Sequence, residues 1–454
     1  MSRADPAPLS ETLPADSRPG LRPLLTLAIP VIGSRLGIMA MGLVDTVIVG
    51  RHSATELGYQ ALGWAPTAVV LTTSIGLLSG VQVLTSQAIG DGRRGETGAI
   101  LRRGLAYALW VSLAAATLLF VLGGPVMHNL GLAPDLANGA TPVLQLLALS
   151  LVPILIGDAG MFWLEAHGRA LPGTIAIWAS NAVNLVLNLW LVPGDSGFGI
   201  DGAVASAWST FLSRLFFLAI VVLLIARWRE ARALGVFTPA PRNKAASAEM
   251  RRIGYGASIS YFTETLAFAS MSIIAGWIGA AAVASWAIVL NVAALIFMVP
   301  LGLSTATGVL VGRAYGGGDK AGVRLAARLG FGLTVALTLA ICVGVALGRD
   351  LIAAAYTHDA GVQAITAAAL LLSCLFFVAD GLQVVGAQSL RAQSDVWVPS
   401  ATHFASYLLV MMPLGYGFAI ALGHGVNGLV WAVIVASLMS ASLLWGRFIW
   451  LVRR

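Results

Sequence analysis

Three carboxylates stand inside long apolar stretches of this chain. Asp45 interrupts the run "MGLVDTVIVG", and Glu264 and Asp380 interrupt two later runs. A charged side chain at the centre of a membrane helix costs about 2.5–3.5 kcal/mol on insertion scales, and by default it marks a functional site. Acids in such places can bind a cation or exchange a proton, so we treat all three as candidates for ion coupling.

The two later acids are predicted to lie at the same depth in the membrane. Glu264 follows Arg252 by 12 residues, and Asp380 precedes Arg391 by 11. At a rise of about 1.5 Å per residue, the acids lie about 18 Å and about 16 Å from those basic ends. We find no Lys or Arg at that depth in this half of the chain, which predicts two carboxylates without ion-pair partners. Burial and a nearby like charge both favour the protonated form of a carboxyl, as proton coupling requires. The alternative is a protonated acid hydrogen-bonded to a neighbouring helix.

Asp45 stands nearer the opposite membrane face, about 9 Å before Arg51 at the helical rise. A later apolar stretch, "NAVNLVLN", carries a stripe of amides that step by 3 and 4 residues and share one helix face. These are Asn181, Asn184 and Asn188. A carboxylate with such a stripe can coordinate Na⁺ or relay protons. The alternatives are asparagines that only hold helices together and a salt bridge from Asp45, for which Arg35 is a candidate.

The first half of the chain also contains Asp158, Arg35 and Arg214 within apolar stretches. Two arginines against Asp45 and Asp158 leave that half near neutral, so charge alone predicts the main cation site at Glu264 and Asp380. We expect the two arginines to act as structural ion pairs or cavity-mouth residues rather than as anion ligands.

Composition identifies the solvent of this chain. Of its 454 residues, 58% are hydrophobic and only 10% are charged, against about 25% charged in soluble domains. The mean hydropathy is +0.86, which predicts an all-α polytopic membrane protein. Residues 1–20 are polar and proline-rich, without the apolar core of a signal peptide, and we expect a disordered cytoplasmic tail. Cys342 and Cys374 lie in apolar segments and predict neither a disulfide framework nor a zinc site.

Apolar runs long enough to span a bilayer occur twelve times. Of the 27 Lys and Arg residues, 23 fall on the side of the two termini and the even-numbered connections. The opposite side has only Arg51 and Arg349. This asymmetry predicts that both termini are cytoplasmic, and it explains the positive net charge without a nucleic-acid partner.

The chain also repeats itself at a shift of 226 residues. "GLLSGVQVLTSQAIGDG" at 76–92 aligns with "GLSTATGVLVGRAYGGG" at 302–318, and "GFGIDG" at 197–202 aligns with "GHGVNG" at 423–428. Because six spans are an even number, both halves start on the same side, which gives a parallel repeat of the kind found in secondary transporters. We predict lobes at 21–226 and 252–454, joined by a cytoplasmic linker at 227–251.

With these motifs in place, the chain resembles the multidrug and toxic compound extrusion (MATE) family. The resemblance is carried by "AIPVIGSRLGIMAMGLVDTVIVG", "TSQAIGDGRRGE", "GYGASISYFTETLAFASMSIIAG" and "FFVADGLQVVGAQSLRAQSD", and it extends from Leu21 onward. It implies two six-helix bundles arranged as a V. It also implies a monomeric inner-membrane antiporter that exports drug-like, often cationic, compounds in exchange for H⁺ or Na⁺.

The resemblance extends to single positions. Glu264 and Asp380 match a cation site of the NorM branch, and Asp45, Asn184 and Asn188 match a first-half site in relatives. That branch often has a Tyr one turn before the second acid, where this chain has Phe376. A Phe supplies no oxygen ligand, which argues against Na⁺ there.

Several other residues have predicted roles. Pro30 removes a helix hydrogen bond within span 1 and predicts either a gating bend or a static kink. Candidates for a drug path are Met41, Trp64, Trp163, Trp286 and Phe376.

Two other functions were weighed. The six histidines are scattered, without an H-E-x-x-H pair, which argues against an intramembrane metalloprotease. A lipid-linked oligosaccharide flippase shares the wider architecture and is the alternative. It would need a cationic cavity for phosphates, whereas the second half predicts a negative one.

Overall fold

The computed structural model describes residues 19–129, 133–239 and 243–453, and in these ranges the protein is helical without a β-strand. Eleven helices of the described chain are long and apolar enough to cross a membrane. A further long helix, Lys244–Ile278, has a polar beginning, "KAASAEMRRI", which lowers its hydropathy. The structure therefore confirms the prediction of an all-α, multi-pass membrane protein with twelve long helices.

The helices are numbered here in chain order. Their bounds are α1 Leu21–His52, α2 Ala54–Gly90, α3 Thr97–Asn129, α4 Pro134–Ala166, α5 Ala170–Leu191, α6 Gly202–Ala226, α7 Lys244–Ile278, α8 Ala280–Gly316, α9 Lys320–Tyr356, α10 Ala360–Arg391, α11 Trp397–Ala421 and α12 Gly425–Arg453.

The first compact unit spans Gly33–Ser258. Helix α4 lies at its centre and packs against α2, α3 and α6, while α5 packs against α6. Helix α1 approaches α5 closely at two glycines. The indole Nε1 of Trp178 donates to the Gly33 carbonyl at 3.1 Å, and Asn181 Nδ2 donates to the Gly37 carbonyl at 2.7 Å. Small residues at such a contact let a side chain reach the neighbouring backbone, so the second half of α1 is held along α5.

The second compact unit contains the described residues up to Ile32 and those from Ile259 onward. Helix α10 takes the place of α4 and packs against α8, α9 and α12. The repeat is visible in single contacts. A side chain at Gly104 would collide with Val81, and one at Gly330 would collide with Thr307. Both pairs are related by the 226-residue shift, so equivalent helices meet at equivalent glycines in the two units.

The segment after α6 is attached to the first unit. The Gly98 amide donates to the Leu234 carbonyl at 2.8 Å, and Arg102 Nη1 donates to the carbonyls of Gly235 and Val236. Most of the predicted linker before the break at 240–242 thus packs on the cytoplasmic ends of α2 and α3. The unit boundaries also place the start of α1 with the second unit. The predicted lobe boundaries at 21, 227 and 252 stay predictions.

Helix α11 departs from α-helical geometry. Its segments Phe404–Met411 and Gly417–Ala421 are π-helical, and Pro413 lies between them. Proline has no N–H donor and crowds the turn before it, and the wider π-turn is a common way to accommodate such a break, often near functional sites. Tyr407, on the first π-segment, points to the acid pair described below.

Candidate functional site

The structure brings Glu264 and Asp380 together through one amide. The Nε2 atom of Gln383 donates to Glu264 Oε1 at 3.4 Å and to Asp380 Oδ1 at 3.3 Å. Both contacts are long, and since they share one nitrogen, the two carboxylate oxygens are less than 7 Å apart. Asp380 is buried, whereas Glu264 keeps part of its surface accessible. A cation or a proton can therefore be shared by two acids on different helices, α7 and α10.

Tyr407 completes the surroundings of Asp380. Its hydroxyl donates to Asp380 Oδ1 at 3.3 Å, and the residue is fully buried. Phe376, one turn before Asp380, packs its ring against Phe377 at 4.6 Å between centroids and is 2% exposed. The sequence argument against a tyrosine oxygen considered only α10. The fold supplies that oxygen from α11 instead.

A buried arginine stands near this pair, contrary to the sequence expectation that the acids have no basic neighbour. Arg391 had been placed at the cytoplasmic edge, but it is only 1% exposed. Its guanidinium carbon lies 5.3 Å from the centre of the Tyr261 ring, and its charge acts on Glu264. The expectation was wrong because distance along the helix does not show which way a long side chain turns: Arg391 reaches into its unit rather than out to solvent.

Asp45 is held by two side chains from other helices. Asn188 Nδ2 donates to Asp45 Oδ1 at 2.8 Å, and Thr210 Oγ1 donates to Asp45 Oδ2 at 2.9 Å. Asp45 is 6% exposed, and Asn188 is completely buried. The acid thus turns from α1 toward α5 and α6, which solvate it in place of water.

The three predicted asparagines have different surroundings. Asn188 bonds Asp45 directly, whereas Asn181 bonds the α1 backbone at Gly37. Asn184 is buried beside Asp45 and interacts with it electrostatically, but neither of its amide atoms makes a hydrogen bond of regular geometry. The side-chain oxygens of all three also have no donor among the described residues. The stripe therefore offers unused carbonyl oxygens, the type of ligand that hard cations prefer.

The first unit contains one more buried acid than the sequence argument counted. Glu165 is fully buried, with Oε1 lying 3.5 Å from Arg35 Nη2 and Oε2 accepting from Gln82 Nε2 at 2.8 Å. Arg35 therefore pairs with Glu165 and not with Asp45. Arg214 donates to Ser150 Oγ at 2.6 Å, and its charge acts on both Asp45 and Asp158. Three acids against two arginines replace the near-neutral balance that the sequence predicted.

The residues predicted to line a drug path divide into two groups. Trp163, Trp286 and Phe376 pack in the cores of their units, with at most 2% of their surfaces exposed. Trp64 is 39% exposed, and Met41 is half-buried. A role in a drug path stays a prediction for all five, and in this conformation only Met41 and Trp64 present surface for it.

Several site residues were missed, and some had a signal. Gln383 follows Asp380 by three residues and so shares its helix face. Thr210 lies in a stretch of small polar residues on α6 that are otherwise unusual in a span. Tyr407 had no such signal, because its approach to Asp380 depends on the π-turns of α11.

Comparison with known proteins identifies the family. A family model described as MatE matches residues 30–190 and 257–417. The two matches begin at residues 30 and 257, so their offset of 227 residues agrees with the internal repeat to within one residue. The chain is 47% identical to "Probable multidrug resistance protein NorM" of Caulobacter vibrioides, across 94% of this chain and 90% of that one. It is 31% identical to the protein of the same name from Xanthomonas axonopodis pv. citri, across 92% of each.

A solved structure shares the fold. The outward-facing conformation of a multidrug resistance MATE family transporter of the MOP superfamily superposes with a TM-score of 0.89 at 17% identity, and it covers 97% of this chain and 98% of that one. The sequence resemblance is therefore confirmed at the level of both family and architecture. This chain belongs to the MatE family, the multidrug and toxic compound extrusion transporters, with relatives of the NorM type.

Proposed function

We propose that this protein is a secondary antiporter of the bacterial inner membrane. It exports drug-like, often cationic, organic compounds in exchange for inward H⁺ or Na⁺, it performs no enzymatic chemistry, and it needs no cofactor beyond the coupling ion. Its relatives are called multidrug resistance proteins. The observation that carries the proposal is the pair of Glu264 and Asp380 on one Gln383 amide inside a membrane-spanning unit.

The chemistry of the pair fits ion coupling. Two carboxylates in a low-dielectric interior repel each other, so the loaded state with a proton or Na⁺ is stabilised relative to the empty one. The contacts from Gln383 and Tyr407 are 3.3–3.4 Å long, so they orient the carboxylates without saturating their oxygens. Transport would then follow from exposing this pair to one face of the membrane when loaded and to the other when empty. Asp45, with its amide stripe, is a second coupling group in the first unit.

Efflux from proteoliposomes tests the proposal. Purified protein in vesicles loaded with ethidium, a lipophilic organic cation, should export the dye when an inward pH gradient or Na⁺ gradient is imposed. Glu264→Gln and Asp380→Asn should each reduce coupled efflux at least tenfold. Asp350→Asn, at a side chain with 81% relative exposure, is the matched control and should export like the wild type. Parallel vesicles with a lipid-linked sugar test the flippase alternative. Flipping of that lipid without dye efflux would refute the proposal.

Labelling of single cysteines tests the orientation. A cysteine placed in the Asp195–Asp201 segment should react with a membrane-impermeant reagent from outside only, and one placed next to Lys320 should react from the cytoplasm only. The reverse pattern would contradict cytoplasmic termini. Purification in detergent with light scattering should give the mass of a monomer.

A further inference from the structure

The buried charges around the acid pair do not add up to a simple pair of acids. Glu264 and Asp380 contribute two negative charges, and Arg391 contributes one positive charge within the same unit. A guanidinium stays protonated in proteins, so the charge of Arg391 is constant through the cycle. The empty site therefore has a net charge of one negative unit rather than two.

The other polar groups around the site are uncharged. Tyr261 faces Arg391 from α7, Gln383 bridges the acids from α10, and Tyr407 bonds Asp380 from α11. His403 is 2% exposed, with its ring 5.7 Å from that of Tyr407 and within the field of Arg391. A protonated His403 would be a second buried cation without an ion-pair partner, which is costly. It is therefore counted as neutral.

Arg391 acts on the pair without occupying its oxygens. Its Nε and Nη2 atoms have no hydrogen-bond partner among the described residues, and its charge reaches Glu264 without an ion pair within 4 Å. The carboxylate oxygens of Glu264 and Asp380 thus remain available to a cation, while the field of the arginine compensates one of their two charges.

We propose that Arg391 sets the charge stoichiometry of the Glu264–Asp380 site at one monovalent cation, H⁺ or Na⁺, per loaded state. Burying net charge in a low-dielectric interior is costly, so the loaded state is the neutral one. With Arg391 present, one proton makes the site neutral. Without it, two are required. This inference rests on the proposed function of the pair as the ion-coupling site, but it concerns ion binding and can be tested without transport.

Infrared difference spectroscopy counts the protons directly. Wild-type protein in lipid and sodium-free buffer is titrated from alkaline to acidic pH, and the carbonyl stretch of protonated carboxyls is recorded. The spectrum of Glu264→Gln/Asp380→Asn is subtracted as a baseline, so that only this site contributes. Arg391→Gln should show twice the wild-type band intensity, and Arg391→Lys should match the wild type. Arg328→Gln, at an exposed arginine on α9, is the control for the loss of any arginine and should also match it.

The single acid variants provide a test that leaves Arg391 in place. In Glu264→Gln or Asp380→Asn, the remaining acid is balanced by Arg391, so the site is already neutral and the band should disappear. Two independent acids would instead lose half of the band in each variant. A half-intensity band in both variants, or an unchanged band in a folded Arg391→Gln protein, would overturn the proposal. Absence of dye efflux by the wild type would refute the transport function but leave this proton count unaffected.

Discussion

Asp45→Asn separates the charge of the first-unit acid from its structural role. The substitution keeps the size of the side chain and its ability to hydrogen-bond, but it removes titration and most of the attraction for a cation. If Asp45 must change its protonation or cation occupancy during transport, the variant should fold, insert and bind substrate, yet lose coupled efflux. If Asp45 is only a structural acceptor for Asn188 and Thr210, transport should survive.

The contacts give the magnitude expected for stability. Asp45 accepts from Asn188 at 2.8 Å and from Thr210 at 2.9 Å. In Asp45→Asn one oxygen remains an acceptor, and the Thr210 hydroxyl can turn to accept from the new amide, so we expect a loss of about 1 kcal/mol or less. Asp45→Ala leaves both donors buried without an acceptor, at about 1–3 kcal/mol each. Thermal unfolding in detergent should therefore rank the wild type and Asp45→Asn close together, with Asp45→Ala clearly lower.

Efflux measured in the same preparations decides the role. We expect Asp45→Asn to lose at least nine-tenths of ethidium efflux under both a pH gradient and a Na⁺ gradient, while its dye binding, measured by fluorescence anisotropy, stays within about threefold, less than the 1.4 kcal/mol of a tenfold change. Asp380→Asn should lose at least as much, because the second unit contains the acid pair. Wild-type efflux by Asp45→Asn under both gradients would refute the reasoning and make Asp45 structural.

Three further predictions follow from single contacts. Tyr407→Phe removes the hydroxyl that bonds the acid pair, and we expect a weaker dependence of efflux on Na⁺; restoration by adding Phe376→Tyr would show that the oxygen, and not the ring, matters, and no change in the single variant would contradict the assignment. Arg35→Gln leaves Glu165 buried without its ion-pair partner and should destabilise the protein by about 3–5 kcal/mol, whereas Arg35→Gln/Glu165→Gln should recover most of that loss in thermal unfolding; equal losses in both would rule out the ion pair as the cause. Arg102→Met removes the donor to the segment after α6 and should accelerate limited proteolysis there, and an unchanged cleavage rate would show that the Gly98 backbone contact is sufficient.

The acid pair shows how far sequence reasoning reaches. Equal distances from basic helix ends predicted that Glu264 and Asp380 share a depth, and the structure joins them through Gln383. Depth follows from the helical rise, which is the same in every helix. The rotation of α7 and α10 about their axes, and with it the meeting of the two acids, follows from packing that the sequence does not display.

By itself, the sequence determined the solvent, the helices, their repeat and the family. Those properties depend on composition, run length and the 226-residue shift, which are local or additive along the chain. Only the tertiary structure decided which side chains compensate the buried charges. It paired Arg35 with Glu165, supplied Tyr407 from the π-turns of α11 to the acid that Phe376 cannot serve, and turned Arg391 inward. The physical reason is that electrostatic energy in a low-dielectric interior depends on distances of a few ångströms between groups far apart in the chain, and those distances are set by how whole helices pack.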